Sequence, residues 1–385
     1  MSSSWKAETQ AIHSGELHPR VEGAITMPIF QSSTFVLGDA QDYRDIRYIR
    51  LNTTPNHRAL AQKMAALEGT EEALVTSSGM AAITGALLSQ LRAGDHVIAQ
   101  NHIYGGTYKV FQGLVQRYGI SVSFVSLDDP DSWEDACQAN TRAFYVESIT
   151  NPWLEVGDLK GVVDFAQQRG LVSMIDNTFL SPAMFQPAAM GFDLVLHSAS
   201  KYLNGHSDLV AGVIAGSTQH LNAVSDLMNL LGPCLDPHAC FLLQRGLKSL
   251  PMRMRVQCAQ AQELAQMLDQ HPEVDRVFYP GLPDSPYYQR AREWFGAFGA
   301  VVSLLPKGGV TRAQQIIQRL QLMDEAPSLG GLESLVCRPA TTMYAGMPAD
   351  ELNKLGIDPA LIRIAVGAEH IDDLKADLNQ ALQRT

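Results

Sequence analysis

The chain has 385 residues, 46% of them hydrophobic and 18% charged, so it can bury a large core and divides into about two domains at roughly 150 residues each. Its 40 acidic residues against 29 basic ones leave a net charge of −11 with no basic block, which argues against nucleic acid or an anionic membrane as partner. No apolar stretch approaches the roughly 18 residues of a membrane span, the N-terminus has no signal-peptide pattern, and the scattered Cys137, Cys234, Cys240, Cys258 and Cys337 fit reduced thiols in the cytoplasm rather than a disulfide framework or a metal site.

The first 45 or so residues, including "ITMPIFQSSTFVLGDAQDY", read as an arm with little regular structure. From residue 72 the pattern alternates. "EALVT", "HVIAQ", "ISVSFVSL", "RAFYVES", "LVSMIDN", "FDLVL" and "LVAGVIAG" are strand-like. Helical runs such as "SSGMAAITGALLSQL", "TYKVFQGLVQRYG" and "LKGVVDFAQQRG" lie between them, the last two ending on glycine. Such alternation predicts an α/β domain built on a mostly parallel, doubly wound sheet. After about Leu231 the texture changes. "HACFLLQRGLKSLPMRMRVQCAQAQELAQMLDQHP" reads as one long helix kinked at Pro251. "VDRVFYPG", "GAVVSLLPKG", "TRAQQIIQRL", "LIRIAVG" and "HIDDLKADLNQALQ" then make a smaller α/β domain. The divisions expected are an arm at 1–50, a large domain at 51–245 and a C-terminal domain at 246–385.

In an open sheet of this class, ligands bind beyond the carboxyl ends of the strands. "SSGM" lies between a strand and a helix, so Ser78, Gly79 and Met80 sit where free amides meet an anion; Ser78 could equally be a plain helix cap. Tyr104 in "HIYGGTY" could cover a planar ligand or simply pack. Asp176 ends the buried run "SMIDN" and needs a partner, which could be a cation, a protonated ring nitrogen or a structural ion pair. Lys201 in "HSASKYLNGHSD" follows a strand; partial desolvation there would lower its pKa and let the amine form a Schiff base. Alternation puts Ser198 and Ser200 on one face beside it. His197 and His206 gain no catalytic role. A phosphate cradle, an aromatic cover, a buried carboxylate and an amine are together the parts that hold pyridoxal 5'-phosphate. Nicotinamide binding is the rival for such a sheet, but no Gly-x-Gly-x-x-Gly follows an early strand.

From "AIHSG" and "PIFQSSTF" through "HSASKYLNGHSDLVAG" to "LIRIAVGAEHIDDL", the chain resembles the pyridoxal-phosphate enzymes of cysteine and methionine metabolism. These include cystathionine gamma-synthase, gamma-lyase and beta-lyase, and methionine gamma-lyase. The resemblance implies an aspartate-aminotransferase-like fold of type I, with a seven-stranded large-domain sheet. It implies that Lys201 carries the cofactor and that Ser198, Ser200 and the amides of Gly79 and Met80 hold its phosphate. Tyr104 would stack on the ring and Asp176 would pair with its nitrogen. Asn151, Ser328 and Arg363 would face the substrate, Arg363 binding its carboxylate. Tyr48 and Arg50, in "YIRLNTTPNHRAL", would reach the phosphate of a neighbouring subunit, so a homodimer is the least assembly and a tetramer the usual one. Where the family pattern runs Tyr-x-Arg-x-x-Asn-Pro-Thr, this segment is one residue longer.

The resemblance implies a carbon–sulfur lyase acting on cystathionine or a related sulfur amino acid, with Lys201 and Tyr104 as catalytic groups. A gamma-replacement transferase using an activated homoserine ester is the alternative, and an inactive cofactor-binding relative the third reading. Two departures bear on the choice. Pro327 precedes Ser328 where many relatives carry glutamate or an aromatic residue, and Met343 and Tyr344 stand where many have threonine and histidine.

Overall fold

Seven strands between Glu72 and Gly216 build the main sheet of the computed structural model, which describes residues 5–383. They are β1 (Glu72–Thr76), β2 (His96–Gln100), β3 (Ser121–Val125), β4 (Thr141–Glu147), β5 (Val172–Asp176), β6 (Leu194–Ser198) and β7 (Gly212–Gly216). Their order is β1-β7-β6-β5-β4-β2-β3, with β7 antiparallel to both of its neighbours and the pairs from β6 to β3 parallel. Neighbouring residues of β5 show why the strands read as apolar runs: Met174 packs into one core with Leu194 and Ile214, and Ile175 into the other with Val195 and Val213. A strand covered on both faces has no polar side to show.

A second sheet holds β8 (Val274–Phe278), β9 (Val301–Pro306), β10 (Asp324–Glu325), β11 (Leu335–Cys337) and β12 (Ile362–Ala365), in the order β10-β11-β12-β9-β8. No described helix is long and apolar enough to cross a membrane.

The structure corrects two readings and adds two helices. The long kinked helix is two helices, Pro237–Leu247 and Leu250–Asp269. Pro251 lies in the first turn of the second, where an amide hydrogen has no helical partner to lose, so proline starts this helix instead of bending it. The arm carries a helix, Ala7–His13, and a fourteen-residue helix, Pro55–Glu68, precedes β1. Strand β6 ends at Ser198, so strand alternation does not extend to Ser200, although both serines reach the same cavity.

Gly212 lies opposite Thr76 on one side and Ser198 on the other. A Cβ there would collide with the carbonyl oxygen of Ser78 and with Thr76 Oγ1. The missing side chain lets the turn after β1 close over the sheet. Gly212→Ala is therefore expected to cost about 1–3 kcal/mol, read as a lower urea midpoint, and to weaken cofactor retention by displacing residues 77–79.

Candidate active site

The carboxyl ends of β1, β4, β5 and β6 open into a cavity of about 520 Å³. Its far wall comes from residues 327–329, 342–343 and Arg363, all contributed by the C-terminal part of the chain. Ser78, Gly79, Met80, Tyr104, Asn151, Asp176, Ser198, Ser200, Lys201, Ser328 and Arg363 all line it.

At one end the helix Gly79–Gln90 begins, and Ser78 caps it by accepting from the amide of Ala81 at 3.0 Å. The amides of Gly79 and Met80 precede the first full turn and have no partner within the helix. A Cβ on Gly79 would come within 2.7 Å of Ser198 Cβ, so only glycine lets this turn lie against the end of β6. Ser200 Oγ accepts from the amide of Ala211 at 3.0 Å, which fixes its hydroxyl at the same end. Unpaired amides at a helix start, flanked by two hydroxyls, fit a phosphate.

Asp176 lies deeper. Its Oδ1 accepts from the Thr178 amide at 2.9 Å and from Thr178 Oγ1 at 2.5 Å. Burial nevertheless pushes its carboxyl above the usual range. No ion pair holds this buried carboxylate among the described residues, with His197 only a weaker charge nearby, and a protonated ring nitrogen fits that need. Beside it on the sheet is Glu147, which the sequence reading did not single out. Burial, together with the charge of Asp176, pushes the Glu147 carboxyl well up, and its Oε1 accepts from the amide of Tyr104 at 2.7 Å. Glu147 thus anchors the loop that carries the aromatic ring. Its one sequence signal is its place as the last residue of a strand. Lys109 also lines the cavity and was not anticipated.

Lys201 Nζ donates to Ser328 Oγ at 2.8 Å. Burial, and then the positive charge of Arg363, hold its ammonium below the ordinary lysine value. Arg363 is itself buried; Nη2 donates to Ser328 O at 2.8 Å and Nη1 to Asn151 Oδ1 at 3.3 Å. Tyr104 is 39% exposed in the single chain, and burial of its hydroxyl keeps its pKa raised. Pro327 and Met343 are on the cavity wall. Tyr344 is not; its buried hydroxyl donates toward Ile103 O and Asn151 O.

Tyr48 and Arg50 are not brought to this cavity within the chain. Arg50 is exposed, donates to Asn229 O at 2.8 Å and lies over the Tyr48 ring at 5.4 Å. The longer segment after it forms a left-handed turn at Asn52 (φ 55°), and the helix then starts at Pro55.

Fold and cavity define a type I pyridoxal-phosphate enzyme: a helix start that fits an anion, a buried carboxylate and a desolvated lysine meet at the strand ends. The chain belongs to the family of Cys/Met metabolism PLP-dependent enzymes, whose model matches residues 8–383. It is 38% identical to a cystathionine beta-lyase of Coxiella burnetii, over 97% of both chains. It is 37% identical to a cystathionine gamma-lyase of Dictyostelium discoideum, over 99% of both. Among solved structures, a cystathionine gamma synthase from Xanthomonas oryzae pv. oryzae superposes with a TM-score of 0.94 at 34% identity, over 98% of both chains.

The Lys201–Arg363 proximity is testable by pH. Only a neutral amine attacks the cofactor aldehyde, and a nearby positive charge favours the neutral form. In Arg363→Gln the lysine pKa should rise. The acid limb of cofactor capture, followed as growth of visible absorbance on adding pyridoxal phosphate to the apoprotein, should then move to higher pH.

Proposed function

We propose that the chain is a carbon–sulfur lyase that cleaves cystathionine or a related sulfur amino acid by alpha,gamma- or alpha,beta-elimination. The observation that carries this reading is a desolvated lysine held beside a buried arginine–asparagine pair in one cavity. Bound pyridoxal phosphate would supply the electron sink that makes the substrate Cα–H acidic. Ser198, Ser200 and the amides of Gly79 and Met80 would hold its phosphate, Asp176 its ring nitrogen and Tyr104 its face.

Arg363 and Asn151 would grip the substrate α-carboxylate, since a guanidinium can offer paired N–H donors to an anion. That grip orients the Cα–H bond, and orientation is itself a large share of catalysis. Lys201 Nζ, whose ammonium is held below the ordinary lysine value by burial and Arg363, takes the Cα proton in its neutral form. For gamma-elimination the same nitrogen also moves a proton from Cβ. Tyr104 remains a protonated phenol, because burial raises its pKa, and can give its proton to the departing sulfur. Lys109, exposed on the cavity wall, offers a cation to a second carboxylate such as the distal one of cystathionine. The likeness to the Xanthomonas synthase keeps gamma-replacement with an activated homoserine ester as the second reading.

The same reading makes the active site a product of two subunits. Residues 43–50 lie along the helix Thr218–Leu231 through bonds from Arg44 to Asn222 and Asp226 and from Arg50 to Asn229. Leu230 and Leu231 of that helix, and Val36 and Leu37 of the arm, expose apolar surface that a second copy would cover. Tyr48 and Arg50 would then reach the partner's phosphate, and two such dimers would make a tetramer.

Incubation with L-cystathionine decides the reaction. Cysteine with 2-oxobutyrate marks the gamma-lyase and homocysteine with pyruvate the beta-lyase. Turnover of an activated homoserine ester plus cysteine, with cystathionine left intact, would replace the lyase reading by the synthase one. Lys201→Ala should abolish turnover and visible absorbance together.

Shared sites are tested by mixing. Lys201→Ala and Arg50→Ala should each be nearly inactive. Refolded together they should recover about a quarter of wild-type activity, because half the dimers are mixed and each mixed dimer holds one intact site.

A further inference from the structure

The side chain of Met343 occupies the meeting point of the Arg363–Asn151 pair. Arg363 Nη1 and Asn151 Nδ2 each lie 3.1 Å from its sulfur. Both donors are buried, at 2% and 4% exposure. A thioether is a weak, neutral acceptor, whereas a guanidinium beside an amide is suited to an anion. Arg363 Nε has no acceptor among the described residues. A charged guanidinium and an amide are therefore matched here to a weak, neutral acceptor.

The turn that carries Met343 is held in shape by its own bonds. Thr342 Oγ1 donates to Arg338 O at 2.9 Å, and the Tyr344 amide donates to Pro339 O at 3.1 Å. The Tyr344 hydroxyl, with one hydrogen to donate, lies 3.2 Å from Ile103 O and 3.3 Å from Asn151 O and shares it between them. Drawing the turn back would break the Tyr344 hydroxyl contacts. The methionine side chain can move without that cost, because it is unbranched with three rotatable bonds and borders the cavity.

We propose that Met343 is a gate: its sulfur holds the place of the substrate α-carboxylate on Arg363 and Asn151, and substrate enters by exchanging a carboxylate for the thioether. The proposal rests on the reading of Arg363 and Asn151 as the carboxylate site and adds its regulation. Its ligands are α-amino acids with a free carboxylate. An amine without one offers nothing to displace the sulfur, so the gate selects against it. The fraction of molecules with the gate open scales the apparent affinity, so removing the side chain tightens binding without touching the reacting groups.

Propionate tests this on the holoenzyme, since it has a carboxylate but no amine with which to react. In Met343→Ala its Kd by calorimetry should fall about 3- to 10-fold, the change expected when the closed form holds roughly 70–90% of the population. The KM for cystathionine should fall in parallel, with the gain in kcat/KM lying in KM. In wild-type protein carrying [methyl-13C]methionine, propionate should shift the Met343 methyl signal, identified by its loss in Met343→Leu; this readout needs no functional variant. A motionless Met343 methyl under saturating propionate, or equal or weaker binding in Met343→Ala while Arg363→Gln abolishes binding, would overturn the gate alone. Undiminished propionate binding in Arg363→Gln would overturn the carboxylate site and the gate with it.

Discussion

Two positive groups, Lys201 and Arg363, share one buried cleft, and the rest of the site is arranged around that constraint. Burying two cations side by side is costly unless one gives up its proton or each finds partners. Arg363 is held by the Ser328 carbonyl and the Asn151 amide oxygen. Lys201, whose pKa is easier to shift, is pushed toward the neutral amine and rests on the Ser328 hydroxyl. Ser328 therefore serves both groups, its backbone carbonyl turned to one and its side chain to the other. The tension that lowers the lysine pKa is the same feature that would make it a usable nucleophile and base in the proposed reaction.

The negative side of the cavity follows the opposite rule. Asp176 and Glu147 lie on adjacent parallel strands, and burial raises both carboxyls. Two carboxylates so placed do not both ionise readily. Glu147 takes the structural part by fixing the Tyr104 loop, which leaves Asp176 free to serve the proposed ring-nitrogen contact. Each end of the cofactor site thus presents the charge its contents would need: unpaired amides at the phosphate end and a carboxylate in need of a cation under the ring.

Polar groups buried outside the cavity hold the frame. Lys63 is fully buried and donates to Ala11 O at 2.8 Å and Ile12 O at 3.2 Å, with Glu16 3.7 Å away; burial lowers its pKa to about 8. It ties the first helix of the arm to the helix Pro55–Glu68. The arm, whose outer part exposes Val36 and Leu37, therefore extends from a fixed root. Behind β6, His197 pairs with Glu68 at the end of that same helix, at 2.5 Å, so the strand that delivers Lys201 is tied to the arm's anchor as well.

The sequence alone determined the strands and most helices and singled out Lys201 and Asp176 as site candidates, because each depends on local pattern: apolar runs for doubly covered strands, caps and glycines for helix ends, functional groups at strand termini. Pro251 was misread because a proline looks the same at a helix start as at a kink, and only the preceding turn distinguishes them. Glu147 was overlooked because its role depends on two neighbours, Tyr104 and Asp176, that are far from it in the chain. Tertiary structure alone decided that Ser328, 127 residues beyond Lys201, would receive its amine, and that Met343 would close on Arg363 and Asn151. These contacts form where a C-terminal segment crosses the ends of the large sheet. Their residues have no periodic relation in sequence, so only the packing of one sheet's edge against the other's loops could bring them together.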